Sequence, residues 1–176
     1  VYPYLLRDLA LTRPNQVWAR DITYLSLSGG HAYLCDVLDW HSRYVLSWEL
    51  SNTLDASFCA RAMQRAIAQY GAPEIVNTDQ GCQFTSAEFT QPLLAAGIKQ
   101  SMDGKGRCLD NVLVERLWST VKYEEVYLKS YCSLVDAPAQ LETYFCFYNE
   151  RRPHRAHDGG TPGEAYRATE PEAVNQ

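Results

Sequence analysis

Val17-Trp18-Ala19-Arg20-Asp21-Ile22-Thr23-Tyr24 alternates as a β-strand does. Val17, Ala19, Asp21, Thr23 and Leu25 fall on one side, and Trp18, Arg20, Ile22 and Tyr24 on the other. An aspartate inside such a run needs a reason, because Asp is depleted in strand interiors. Downstream, Gly29-Gly30 turns the chain into a second strand over 31–40, and a break at His41-Ser42 leads to a third over 43–50. Three strands joined by short turns make an antiparallel meander. Upstream, residues 1–15 lack a clean period and contain Pro3 and Pro14, which reads as an entering arm.

Beyond the meander the period becomes helical. Cys59, Ala62, Met63, Ala66, Ile67 and Tyr70 share one helix face, with Thr53 or Asp55 as N-cap and Gly71 as the stop. A short strand over 74–78 ends at Asp79, a helix is predicted over 86–96, and a last short strand over 98–102. Residues 103–107 read as a glycine-rich loop. Helices follow over about 110–125, with Val114, Leu117 and Val121 as the buried seam, and over 136–149. The order βββαβαβ, then helices, describes an α/β domain with a mixed five-stranded sheet. We expect the arm over 1–15, a core over 16–150, and a tail over 151–176 that is basic first and then frayed.

At 176 residues the chain fits one domain, and 46% hydrophobic with 21% charged residues is ordinary globular composition. No run of about 18 apolar residues spans a membrane, and no secretory signal opens the chain. The chain begins at Val1 without a methionine, which reads as a fragment. Six cysteines without a CxxC pair read as free thiols in a reducing cytoplasm. The net charge of -5 argues against a nucleic-acid partner. A carboxylate site neutralised by metal, beside a local basic face, would answer that objection, although the piece alone would bind DNA weakly.

Three acids stand where a solvated charge is not the natural reading. Asp21 is in mid-strand, Asp79 lies at the C-terminal end of a strand, where open α/β sheets place their sites, and Glu115 lies on a helix beside its buried seam. Clustered alone they would repel and raise one another's pKa values; Mg²⁺ or Mn²⁺ prefers such hard oxygen ligands, and two ions can flank a phosphate. The plainer account pairs Asp21 with Arg20 or a neighbouring strand, gives Asp79 a turn to cap and leaves Glu115 in solvent. The residues alone leave both accounts open.

Trp18-Ala19-Arg20-Asp21-Ile22-Thr23, Asn77-Thr78-Asp79-Gln80-Gly81 and Asp110-Asn111-Val112-Leu113-Val114-Glu115 resemble the three signature blocks of DDE transposases and retroviral integrases. Residues 80–114, 35 in number, separate the last two acids, which is the family's interval. Residues 104–111 and Tyr148-Asn149-Glu150-Arg151-Arg152-Pro153-His154 resemble the second reading frame of the insertion-sequence-three group. The similarity covers about residues 14–167. Arg20 and Thr78 depart from the residues usual at their positions.

The resemblance implies an RNase H-like fold (an integrase catalytic core) with Mg²⁺- or Mn²⁺-dependent nicking and DNA strand transfer. Asp21, Asp79 and Glu115 would be the catalytic metal ligands, for two ions. Lys122, two turns beyond Glu115 on the same face, matches a position that contacts the DNA end. Lys105 and Arg107 in the glycine loop, and Arg151, Arg152 and Arg155 in the tail, are further candidates for DNA contact. The partners implied are DNA ends and target DNA, with a homodimer or higher assembly on DNA. A hydrolysis-only nuclease of the same fold and a non-catalytic DNA-binding or assembly module are the alternatives. Related transposases carry an upstream helix-turn-helix region, and nothing of that kind precedes residue 14. Zinc at His154 and His157 lacks a second ligand pair of matching spacing. Asp39 and Arg43 read as turn-builders, and Trp40, Trp48 and Tyr144 as core.

Overall fold

In the computed structural model, which describes residues 2–103, 112–129, 131 and 134–168, the alternation of the first strand is satisfied by two cores at once. Strands β1 (Val17–Leu27), β2 (Gly30–Asp39), β3 (Val45–Ser51), β4 (Ile75–Thr78) and β5 (Lys99–Met102) form one sheet in the order β3-β2-β1-β4-β5. The meander β1-β2-β3 is antiparallel, and β4 and β5 run parallel to β1. Trp18 and Ile22 face a cluster built from α1 (Ala56–Tyr70), α2 (Cys82–Thr85) and α3 (Ala87–Ala95). Val17, Ala19, Leu25 and Leu27 face the opposite cluster, from α4 (Val112–Val121) and α6 (Ala137–Glu150). Burying one Leu or Phe from water contributes about 1.5–3 kcal/mol, and a central strand that does so on both faces fixes its own register.

Local signals set the element ends. Asp55, one of the two expected caps, accepts N–H bonds from Ser57 and Phe58 at the start of α1, and Gly71 closes it at φ 82°. Ser86 caps α3, which tolerates Pro92 in its last turns. The third strand starts at Val45, because Arg43 takes a left-handed turn at φ 66°. Asp39 holds that turn, accepting bonds from Ser42 N–H (2.8 Å), Ser42 Oγ (2.6 Å) and Asn15 N–H (2.7 Å).

Two segments depart from the sequence expectations. The helix expected over 110–125 is α-helical only to Val121; a π-helical turn follows at Lys122–Val126, then the short α5 (Tyr127–Lys129). Tertiary bonds occupy that turn: Glu124 accepts from Tyr144 Oη (3.1 Å) and Arg152, and the buried Glu125 accepts from Tyr131 Oη (2.7 Å). The tail expected to fray carries a 3₁₀ turn (Arg155–His157) and α7 (Pro162–Arg167), started by a capping box between Thr161 and Glu164. Tyr166 stacks on Tyr44 with ring centroids 4.9 Å apart, and its hydroxyl donates to Asn15 Oδ1 at 3.0 Å. The entering arm has no regular structure but packs Leu5, Leu6, Leu9 and Leu11 on the core. It also runs beside β5, where Met102 N–H donates to Pro3 O (3.3 Å) and Leu5 N–H to Ser101 Oγ (3.0 Å).

Candidate active site

Parallel pairing of β1 with β4 puts the first two carboxylates on neighbouring chain segments. Ala19 lies opposite Asn77 in the register, and each chain then advances two residues to its aspartate. Asp79 thus lies just past the end of β4, while Asp21 continues along β1. Both are partly buried, at the edge where β4 ends.

N–H donors orient both carboxylates. Asp21 Oδ1 accepts from Ile22 N–H (2.8 Å), and Asp21 Oδ2 from Trp118 Nε1 (3.0 Å). Asp79 Oδ1 accepts from Gly81 N–H (2.9 Å). A Cβ at residue 81 would lie 2.9 Å from Asp79 Oδ1 and 3.1 Å from Gln83 Oε1, so any larger residue there would push the Asp79 carboxylate aside. Trp118 follows Glu115 by three residues and so shares its helix face. Its bond to Asp21 carries that face of α4 toward the strand edge, with the Glu115 side chain exposed. Among the described residues, no three or more His, Cys, Asp or Glu groups stand close enough together to hold a metal ion. The donor chemistry nevertheless fits a hard divalent cation. Carboxylate oxygens are the hard donors such an ion prefers, and the N–H bonds fix the orientation of both aspartates.

Arg20 does not neutralise Asp21. Successive strand residues face opposite ways, and the Arg20 guanidinium turns into the α1–α3 core. There it donates to Cys59 O and lies 5.2 Å and 4.6 Å from the ring centroids of Phe84 and Phe89. Directly across from Asp21 stands Asp36, fully buried, with no hydrogen-bond partner on either carboxylate oxygen. Burial, and then the proximity of Cys35 and Asp21, push its carboxyl well above the usual range. Sequence reasoning missed Trp118 and Asp36 because each acts through a partner distant in the chain. An indole N–H one turn beyond a candidate ligand was the available signal for Trp118.

The remaining candidates scatter around this edge. Lys122, half-buried, opens the π-helical turn seven residues beyond Glu115. Lys105 and Arg107 lie outside the described residues. Arg151 is exposed at the end of α6. Arg152 forms an ion pair with Glu124 (Nε–Oε2 2.8 Å) and lies over the Tyr148 ring at 5.9 Å. Arg155 is exposed in the 3₁₀ turn. His157 Nε2 bonds to Ser42 O at 2.7 Å, a structural tie for the tail. Among the described residues, no helix is long and apolar enough to cross a membrane.

Comparison with known proteins gives one consistent answer. Residues 12–108 match the family described as Integrase core domain, and residues 96–162 match a second family of the same description. Transposase InsF for insertion sequence IS3A of Escherichia coli (strain K12) is 35% identical over 161 residues, covering 90% of this chain and 56% of the relative. The chain thus spans just over half the length of the curated relatives it matches. The catalytic core domain of HTLV-2 integrase, solved in complex with magnesium in a dimeric form, superimposes with a TM-score of 0.70 at 23% identity, covering 89% of this chain and 98% of that one. A chain of the simian T-cell lymphotropic virus intasome gives 0.77 at 22% identity, covering 93% and 58%.

Proposed function

The chain belongs to the Integrase core domain family, and from that premise we propose that it cleaves DNA phosphodiesters and transfers the resulting 3′-OH strand, using divalent metal held by Asp21, Asp79 and Glu115. The observation that supports this reading is the parallel pairing of β1 with β4, which puts Asp21 and Asp79 on neighbouring chain segments, together with the bond from Trp118 of α4 to Asp21. Mg²⁺ or Mn²⁺ ions bound there, two in the reading we favour, would lower the pKa of the attacking oxygen and stabilise the leaving oxygen. The chain's own part is positioning. Trp118 Nε1–H and Gly81 N–H hold the two aspartates, and Glu115, exposed on its helix, closes the set. Arg20 turns to the far side of the sheet, where it donates to Cys59 O. Water, and then the freed 3′-OH, is the nucleophile, so no protein side chain is covalently modified.

The chain spans just over half the length of the transposases it matches, and its partners are part of the same proposal: DNA ends and target DNA, bound by a homodimer or higher assembly. The dimeric form of one structural neighbour and the intasome assembly of another support that assembly. The test incubates the chain with Mn²⁺ and a labelled DNA duplex carrying a free 3′-OH, and follows nicked and joined products on a denaturing gel. Asp79→Asn keeps the shape and loses the charge. We expect activity to fall by more than about 10²-fold, the scale of losing one transition-state stabiliser, with the circular dichroism spectrum unchanged. Wild-type activity in that variant would overturn the assignment.

A further inference from the structure

Helix α4 has a second flank that the carboxylate reading does not use. Leu113, Arg116, Leu117 and Thr120 recur at helical spacing away from the face of Glu115 and Trp118. They form one wall of a cavity of about 390 Å³, closed on the other side by Tyr148, Arg43 and the chain after α6. That volume lies in the range of small-ligand pockets, about 300–1,000 Å³. Among the described residues, four arginines line it (Arg43, Arg116, Arg152 and Arg155), and no acidic residue does. Only Arg152 has a carboxylate partner among the described residues, Glu124, which sits outside the lining. Arg43 Nη1 and His154 Nε2 are buried with no hydrogen-bond partner. A chain of net charge -5 has here concentrated positive charge and left polar atoms unmatched.

We propose that this cavity is a second phosphate-binding position, taking one phosphodiester of the DNA while another lies at the carboxylates on the opposite flank of α4. The identity of the ligand as DNA rests on the function proposed above; the anion site itself does not. Arginine suits the task because its planar donor fork matches phosphate oxygens. Arg43 is pre-placed by the Asp39 turn, and Arg152 by the Glu124 pair and the Tyr148 ring. Arg116 and Arg155 are exposed and supply the adjustable side. Burial, reinforced by the positive charge of Arg152 and its neighbours, pushes His154 down to about 4. At neutral pH the ring is therefore uncharged, and the arginines alone provide the positive charge. An α-helix with its side chains is about 10–12 Å across, so a strand reaching both flanks must pass over the exposed crest of α4.

The test uses the 176-residue chain without divalent metal, so that failure of the carboxylate reading leaves it unaffected. In the first arm, inorganic pyrophosphate is titrated while the melting temperature is followed. The wild type should be stabilised, and the double variant Arg116→Gln/Arg155→Gln, altered only at exposed positions, should show at least a tenfold weaker response. Absence of any pyrophosphate effect on the wild type overturns the pocket. In the second arm, duplex DNA binding is measured against salt. The double variant should lower the log–log slope by about one, the value for one phosphate contact, whereas Arg65→Gln on α1 should not. Pyrophosphate binding with an unchanged DNA slope would overturn the assignment to DNA, leaving a site for a free anion.

Discussion

The two flanks of α4 handle charge in opposite ways. On one, Asp21 and Asp79 are held by N–H groups of Trp118, Ile22 and Gly81, donors that orient a carboxylate without cancelling its charge. On the other, Arg43 and Arg116 share a cavity whose lining, among the described residues, contains no acid. Ordinary surface charges are interspersed and paired, as Arg61 and Arg65 are with Glu49. Gathering like charges costs stability, and the functions proposed above supply each flank with an ion that would offset that cost. The lesson is that the two sides of one helix are specified by what is withheld from them as much as by what is placed there.

The contrast is broken most severely by removing a carboxylate. If the acid flank holds metal, Mn²⁺ at about 100 times its dissociation constant should stabilise the fold by about 2.7 kcal/mol, and Asp21→Asn should abolish most of the accompanying rise in melting temperature. A melting curve insensitive to millimolar Mn²⁺ in the wild type would count against a clustered site. The next effect is that of the orienting donor. Trp118→Phe keeps an aromatic ring in the core but removes the N–H to Asp21 with part of the indole, so metal affinity and nicking should fall by about 10–100-fold, the range for outer-shell partners. Calorimetric Mn²⁺ binding equal to wild type would show that Trp118 merely packs.

The basic flank is sharpened by pH. His154 is held at about 4, below its ordinary 6.5, mainly by burial. The unfolded chain therefore takes up a proton in this window before the folded one does, and stability should fall as pH drops from about 6.5 toward 4. His154→Asn should flatten the melting temperature across that range and leave it unchanged above pH 7; an unaltered acid slope would refute the role. The smallest effect concerns Lys122, at the mouth of the acid flank. Lys122→Ala should lower the salt slope of DNA binding by about one and leave Mn²⁺ binding intact. Lost metal binding with unchanged DNA affinity would assign Lys122 to the site rather than to the substrate.

Much of this was legible in the sequence, for physical reasons that differ by element. Strand β1 has a period of two, and its turn glycines mark its end, so the meander and the odd placement of Asp21 could both be read from residues 17–30. Asp79 and Gly81 could be read as a strand end and a turn, but the need for glycine there comes from the approach of the Asp79 carboxylate, which local pattern does not encode. The π-helical turn at Lys122–Val126 was not legible, since side chains from α6 and Arg152 hold it. The ordered tail was signalled by Thr161-Pro162-Gly163-Glu164, a capping box hidden in a Pro- and Glu-rich composition. The arginine cavity joins residues 43, 116 and 155 and exists only in three dimensions.

The entering arm has a consequence for solubility. Strand β5 is a border of the sheet, and a border strand offers unpaired N–H and C=O groups to any other extended chain, the first step of aggregation. Pro3 O takes the N–H of Met102 and Ser101 Oγ takes the N–H of Leu5, so the arm occupies that border like a selvedge. Trimming residues 2–9 would remove no candidate ligand and no arginine of the cavity, yet it would uncover the border and the surface beneath Leu5, Leu6 and Leu9. Loss of activity after such a truncation would then reflect molecules joining edge to edge rather than damage to the carboxylates.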